Sequence, residues 1–303
     1  MGYWASKERV AIGLGRDRLR LLVAVGNGSM SVAYRGSRAL PVGALRGGLR
    51  APLSSERQAI AVALNELMDD ARDGGLLRRR PGLVTLVITD GSVKVAASPI
   101  EGEIPGVAEG SRMAHWVLRE LLPVEAEAAR VDWAIMTAPG VGAAEPDRWM
   151  LSVGGDAALL QEYEALVDPF GWTVGRIVPW TLAAASVDSG SNPPPETEPP
   201  GAAEPSQRLI LCEADGTLAC LFEAGGVPRF HRAWRARVDG ASVADELPSL
   251  QRYVNDHLEM TVGRVCLCGT RDWSAAVAAA CDAVDLEVRR VDPEEALAGA
   301  LRG

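Results

Sequence analysis

Histidine and long apolar runs are scarce in this sequence, and each scarcity excludes a class of protein. No window reaches the roughly 18 uninterrupted apolar residues that a membrane-spanning helix needs. The opening M-G-Y-W-A-S-K-E-R lacks the apolar stretch of a secretory leader. The five cysteines are odd in number and lie in the second half of the chain. We therefore expect a cytosolic, reduced chain without direct membrane insertion.

Metal ligands are also few. Cys266 and Cys268 alternate along V-C-L-C-G and so share one face of a predicted strand, which favours buried structural thiols over a metal site. The three histidines, His115, His231 and His257, have no nucleophile at motif spacing. We expect each to be an ordinary core or surface histidine, and we expect no metal site.

Charge and apolar content narrow the choice of partners. The formal net charge is -9, and such a surface repels phosphate backbones, so a nucleic-acid partner is not expected. With 48% apolar residues, a chain of 303 residues can bury two cores. Soluble protein partners and a two-lobed architecture are favoured.

A Pro-rich segment divides the chain. From residue 187 to 207, prolines, small polar residues and glutamates replace nearly all large apolar side chains, which predicts a linker or disordered loop. It separates a first part, residues 1–186, from a second part, residues 208–303.

Both parts begin alike. Residues 9–35 and residues 208–234 each contain three short β-rich runs, joined by turns with Asn-Gly, Asp-Gly or Gly-Gly pairs. Such pairs tolerate positive φ, so each region predicts a three-stranded antiparallel meander. Helical and strand patterns then alternate, which is the order of a ribonuclease H-like lobe. We predict an α/β fold of two duplicated lobes, the second reduced in size.

Two stretches resemble the PilM family of type IV pilus assembly proteins and its relative GspL of type II secretion, both of the actin-like ATPase superfamily. They are R-M-A-H-W-V-L-R-E-L-L-P-V-E-A-E-A-A-R-V-D-W-A-I-M and the run from W-M-L-S-V-G-G-D to P-W-T-L-A-A-A. The resemblance implies two actin-like lobes with a subdomain inserted at about 93–153. Where the family has a further subdomain in the second lobe, this chain has only R-A-W-R-A-R-V-D-G.

The resemblance also implies a nucleotide site between the lobes, which this sequence has eroded. The family places an Asp-x-Gly hairpin from each lobe around the phosphates, where glycine admits backbone N–H groups and aspartate positions metal and water. In the first hairpin of this chain, Gly13 stands where the family has the aspartate. In the second, Asp215 stands where the family has the glycine. We expect no catalytic residue and no cofactor, and simple hairpin turns are the favoured reading. The vestigial site comprises Gly13, Gly15, Glu213, Asp215, Gly216, Thr217 and Gly269.

For function, the resemblance implies a cytoplasmic scaffold that is peripheral to the inner membrane. It would bind the cytoplasmic tail of a PilN-like membrane protein and connect it to a motor ATPase. An extended tail suits a groove beside the inserted subdomain, where Trp116, Trp133 and Trp149 are candidate anchors, with core packing as the alternative for each. Two other functions stay open: an ATPase that binds ATP and Mg²⁺ through acids such as Asp90 or Asp215, and self-assembly into filaments or rings.

Overall fold

A computed structural model gives the fold of most of the chain. It describes residues 8–15, 17–26, 30–41, 44–45, 49, 57–77, 83–103, 105–138, 147–187, 207–214, 216–235, 240–269, 271–282 and 286–302. None of the helices in these ranges is long and apolar enough to cross a membrane.

The described residues form strands and helices in a mixed order. The strands are β1 (Glu8–Gly15), β2 (Arg18–Val25), β3 (Ser31–Ala39), β4 (Val84–Ile88), β5 (Lys94–Pro99), β6 (Ala129–Ala138), β7 (Asp147–Asp156), β8 (Val174–Pro179), β9 (Gln207–Ala214), β10 (Thr217–Ala224), β11 (Val227–Arg235), β12 (Arg264–Cys268) and β13 (Glu287–Val291). The α-helices are α1 (Arg57–Asp73), α2 (Val107–Arg119), α3 (Ala157–Glu164), α4 (Trp180–Ala185), α5 (Gly240–Leu258), α6 (Arg271–Asp282) and α7 (Pro293–Ala300).

Two five-stranded sheets share one topology. The first has the order β3-β2-β1-β4-β8 and the second the order β11-β10-β9-β12-β13. In each, an antiparallel meander is followed by two parallel strands. The predicted duplication of meander-led lobes is therefore confirmed.

Each sheet is covered by its own helices because its strands are apolar on both faces. Helices α1 and α3 pack on one face of the first sheet, and α5 and α6 pack on the outer face of the second. Between the two sheets lies a shared core that includes α4 and α7. Asp156 caps α3 as predicted, since its Oδ1 accepts a hydrogen bond from the N–H of Ala158 at 2.9 Å.

A third sheet is inserted between β4 and β8 of the first. Its order is β5-β7-β6, and α2 covers one of its faces. Helix α2 and strand β6 approach each other closely at Gly110, where a Cβ would lie 2.3 Å from the Trp133 ring. The sequence reading missed β5, which is short and carries small residues at Ala96, Ala97 and Ser98. In the second lobe, β11 ends at Arg235 and α5 begins at Gly240, so the space between them is four residues long, 236–239.

All five cysteines are buried. Cys212 and Cys268 lie side by side on the adjacent parallel strands β9 and β12. Burial raises the pKa of the Cys212 thiol well above its ordinary value, and the contact with Cys268 adds to this rise. The predicted burial of the thiols is confirmed, and the described residues contain no group of three His, Cys, Asp or Glu side chains positioned to hold a metal ion.

The packing between the lobes predicts that shortening a leucine lowers the free energy of unfolding more in the shared core than at the surface. Leu297 of α7 is fully buried between the sheets, whereas Leu121, just after α2, is 44% exposed. We expect Leu297→Ala to lower the free energy of unfolding by about 2–5 kcal/mol, because it opens a cavity between two apolar sheets. Leu121→Ala is the matched control, with an expected change of about 0.5 kcal/mol or less in urea unfolding. Equal losses from both variants would contradict this account of the shared core.

Candidate functional site

The two lobes meet at a buried carboxylate at the end of β4. Asp90 is 2% exposed, and its Oδ2 accepts a hydrogen bond from the backbone N–H of Thr181 at 3.2 Å. Its Oδ1 accepts from the Thr181 hydroxyl and lies 3.1 Å from Nε2 of His231. Thr181 is the second residue of α4 in the first lobe and His231 lies on β11 of the second, so Asp90 joins the two lobes directly.

The neighbours of Asp90 extend this contact. The hydroxyl of Thr89 donates to the carbonyl of Ala214, at the tip of the second lobe's hairpin, at 3.4 Å. Next to it, a Cβ on Gly91 would lie 2.8 Å from Oγ1 of Thr217. The second predicted phosphate hairpin is thus packed against the first lobe.

The first predicted hairpin faces an indole ring. A Cβ on Gly13 would lie 2.8 Å from Cη2 of Trp180 and 2.9 Å from Cδ2 of Leu297. The Trp180 Nε1–H donates to the carbonyl of Leu14 at 3.1 Å, which fixes the ring over the end of β1. Gly15 pairs with Arg18 at the turn into β2.

The remaining predicted nucleotide-site residues lie at the ends of β9 and β12. A Cβ on Gly269 would lie 3.1 Å from Cβ of Glu213, so these two residues are neighbours. Gly216 has φ of 65° in the turn before Thr217, where a residue without a Cβ is favoured. Asp215 lies outside the described residues.

In this arrangement both hairpins pack against other parts of the protein. The buried carboxylate at the centre of the cleft is hydrogen-bonded by Thr181 and His231, and a tryptophan covers the glycine of the first hairpin. A buried charge of this kind is stabilised when its oxygens are hydrogen-bonded. The geometry therefore favours a structural junction between the lobes over a phosphate-binding surface.

A groove lies on the other side of α4. It has a volume of about 610 Å³ and runs between the inserted sheet and the first sheet. Residues 130–134 of β6 and every residue of β8 line it, and both strands are terminal in their sheets. Leu182 of α4 and Pro228 of β11 close its far side.

The wall that the inserted sheet contributes is mostly apolar. Directly paired residues of antiparallel strands share a face, and the pairs here include Ala134 with Leu151 and Asp132 with Val153. Ala134, Leu151, Val153 and the neighbouring Met136 all line the groove.

Several charged residues of the groove are paired within the protein. Arg130 Nη2 pairs with Glu164 Oε1 at 2.8 Å, and the buried Arg208 Nη2 pairs with Glu223 Oε1 at the same distance. Burial raises the pKa of Glu223, and the Arg208 guanidinium opposes that rise. Arg176 Nη1 donates to the carbonyl of Ala300 at 3.3 Å. Asp132 and Arg176 also line the groove, and both are exposed, so the groove presents a carboxylate and a guanidinium as well as apolar side chains.

The structure separates the three predicted tryptophan anchors. Trp133 lines the groove, and its Nε1–H donates to Ser111 Oγ at 3.1 Å. Trp116 is 69% exposed on α2. Trp149 lies under the guanidinium of Arg229, whose Cζ is 4.4 Å from the ring centroid.

Arg229 links the second lobe to the inserted sheet. It sits at an irregularity in the pairing of β10 with β11, where an extra residue on β11 redirects the side chain. Its Nη2 contacts Asp147 Oδ2 at 2.6 Å. Burial lowers the pKa of Arg229, and Asp147 opposes this change. The inserted sheet is thus held against both lobes, which fixes one end of the groove.

Several residues of this junction escaped the sequence analysis. The sequence predicts no special role for His231. Thr181 and Trp180 stand out there only as part of the run P-W-T-L-A-A-A. Their partners are distant in sequence, since 141 positions separate His231 from Asp90. The one local signal is Asp90 itself, an acid directly after a buried strand.

The similarity of this chain to known proteins lies in its fold. No protein-family model matches the chain, and no curated protein matches it. Among solved structures, a chain of the PilM–PilN type IV pilus biogenesis complex is 15% identical with a TM-score of 0.73, covering 95% of this chain and 89% of that one.

Two further structures have lower scores over similar lengths. The cytoplasmic domain of EpsL, an inner-membrane component of the type II secretion system of Vibrio cholerae, is 14% identical with a TM-score of 0.50, covering 98% of this chain and 96% of that one. The ethanolamine utilization protein EutJ from Carboxydothermus hydrogenoformans is 11% identical with a TM-score of 0.53, covering 98% and 90%. The predicted actin-like fold is confirmed, and at these identities the likeness is one of fold.

The junction between the lobes predicts energetic coupling between Asp90 and His231. A double-mutant cycle of Asp90→Ala, His231→Ala and the double variant should give a coupling energy of about 1–3 kcal/mol in urea unfolding, because removing one partner leaves the other buried and less well paired. His257→Ala, at an exposed position, is the control and should change stability little. A coupling energy near zero would show that the two side chains do not stabilise each other.

Proposed function

We propose that this protein is a cytoplasmic adaptor of a type IV pilus or type II secretion platform. In this proposal it binds the cytoplasmic tail of a PilN-like inner-membrane protein in the groove beside the inserted sheet, and it does so without hydrolysing ATP. It would join that membrane protein to a motor ATPase. Association with the inner membrane would come through the partner.

The groove between β6 and β8 carries the proposal. It is long, lined on one wall by apolar side chains, and bordered by two strands that are each terminal in their sheet. Extended peptides bind such places because a strand edge offers main-chain hydrogen bonds while the walls accept side chains. The likeness in fold to a chain of the PilM–PilN complex supports a PilN-like partner.

The cleft between the lobes supports the absence of hydrolysis. A catalytic acid must reach metal or water, but Asp90 is buried and hydrogen-bonded to Thr181 and His231. The indole of Trp180 fills the space where a side chain on Gly13 would lie. Both features favour an adaptor over an ATPase.

A substitution in the groove tests whether the partner's tail binds there. We expect a synthetic peptide with the sequence of the PilN-like protein's N-terminal cytoplasmic tail, taken from the gene nearest to this one, to bind with measurable heat in calorimetric titration. Ala134→Arg should weaken binding at least about tenfold, because Ala134 is exposed on the groove wall and the long arginine side chain would fill the space that the ligand needs.

The matched control is Ala108→Arg, which makes the same exchange at an exposed position of α2 outside the groove. It should bind the peptide as the unmodified protein does. Absence of binding by the unmodified protein, or equal weakening by both variants, would rule out this groove as the tail site.

A separate measurement tests whether the protein binds nucleotide. Millimolar ATP with Mg²⁺ should leave the thermal midpoint unchanged, because a ligand stabilises only the state that it binds. Scanning calorimetry with and without nucleotide measures this. A midpoint that rises with ATP concentration would favour the alternative, a nucleotide-binding actin-like ATPase whose site differs from the family pattern.

A further inference from the structure

We propose that the bound segment pairs with the outer edge of β8 and becomes a sixth strand of the first sheet, with the backbone of Ile177 as its main attachment. This inference rests on the proposed function and specifies how the groove recognises its partner: through the main chain along one defined edge of the first sheet.

The lining of the groove shows which part of β8 is available. A strand that turns only one face to a cavity contributes every second residue to its lining, because side chains alternate. All six residues of Val174–Pro179 line the groove. The groove therefore runs along the hydrogen-bonding edge of β8, where the backbone itself is accessible. In the described part of the chain, the paired side of β8 is occupied by β4 and the other side faces the groove.

Pro179 identifies the residue whose backbone points outward. In a parallel ladder, the N–H and C=O of one residue face one neighbour and those of the next residue face the other. Proline has no N–H and is tolerated where that position faces away from the ladder. With Pro179 directed outward, Val178 and Arg176 bond to β4, and the N–H and C=O of Ile177 face the groove.

The irregular pairing next to Ile177 limits the length of the added strand. Val84 pairs with Val174 and Thr85 with Arg176, so Gly175 is an extra residue on β8. A Cβ on Gly175 would lie 2.9 Å from Cβ of Leu83, which holds this bulge in place. Regular pairing with a ligand strand thus runs from Arg176 onward, a short ladder that depends on side-chain contacts for much of its affinity.

Alternate side chains of the added strand would enter two different environments. On the side of the inter-lobe core they meet Leu182 and Ala185 of α4, and on the other side Leu160 of α3. The charged pairs Arg130–Glu164 and Arg208–Glu223 are satisfied internally. The segment that fits is therefore extended, with apolar side chains where it meets α3 and α4.

Hydrogen exchange measured by NMR tests the pairing. With the synthetic tail peptide bound to the full chain, the Ile177 amide should exchange at least about tenfold more slowly, as a newly hydrogen-bonded amide does. The amides of Arg176 and Val178, already bonded to β4, serve as internal controls and should change little. Slowing confined to β6, or no slowing in β8, overturns the inference.

Backbone methylation of the peptide gives an independent readout. Single N-methyl groups placed along the tail should weaken binding about tenfold or more at positions where the N–H faces Ile177, because each removes a donor and adds bulk at the edge. Full affinity with every N-methylated peptide overturns pairing with β8 while leaving tail binding intact. Failure of the unmodified peptide to bind contradicts the proposed function instead, so the two failures are distinguishable.

Discussion

The structure depends on the hydrogen bonding of one buried carboxylate. Asp90 follows β4 directly and is shielded from water, and a carboxylate in that environment is strongly destabilising unless its oxygens are bonded. Its donors come from Thr181 at the start of α4 and from His231 on β11 of the other lobe. The hydrogen bonds of Asp90 therefore come from both lobes and hold them in contact.

The same two elements shape the proposed binding groove. α4 bonds Asp90 through Thr181 and lines the groove with Leu182, while β11 bonds Asp90 through His231 and lines the groove with Pro228. The junction between the lobes and the proposed groove therefore share two structural elements.

Local features of the sequence predicted the framework, and contacts distant in sequence were not predictable from it. The paired meanders were evident because turn residues such as Gly216 and Gly225–Gly226 mark hairpins locally, and Asp156 was recognisable as a helix cap for the same reason. The bond from His231 to Asp90, the placement of Trp180 over Gly13 and the groove between two sheet edges depend on tertiary packing. The tryptophans show this limit: Trp133 lines the groove but packs its indole against Gly110 and Ser111 of α2, Trp116 is exposed, and Trp149 lies under Arg229.

A crystal structure of the protein with the PilN-like tail peptide, grown in the presence of ATP and Mg²⁺, tests the central claim most directly. The account predicts an extended peptide in the groove beside β8, an intact contact between Asp90 and His231, and no nucleotide between the hairpins. Nucleotide density between separated lobes, with His231 withdrawn from Asp90, would contradict it.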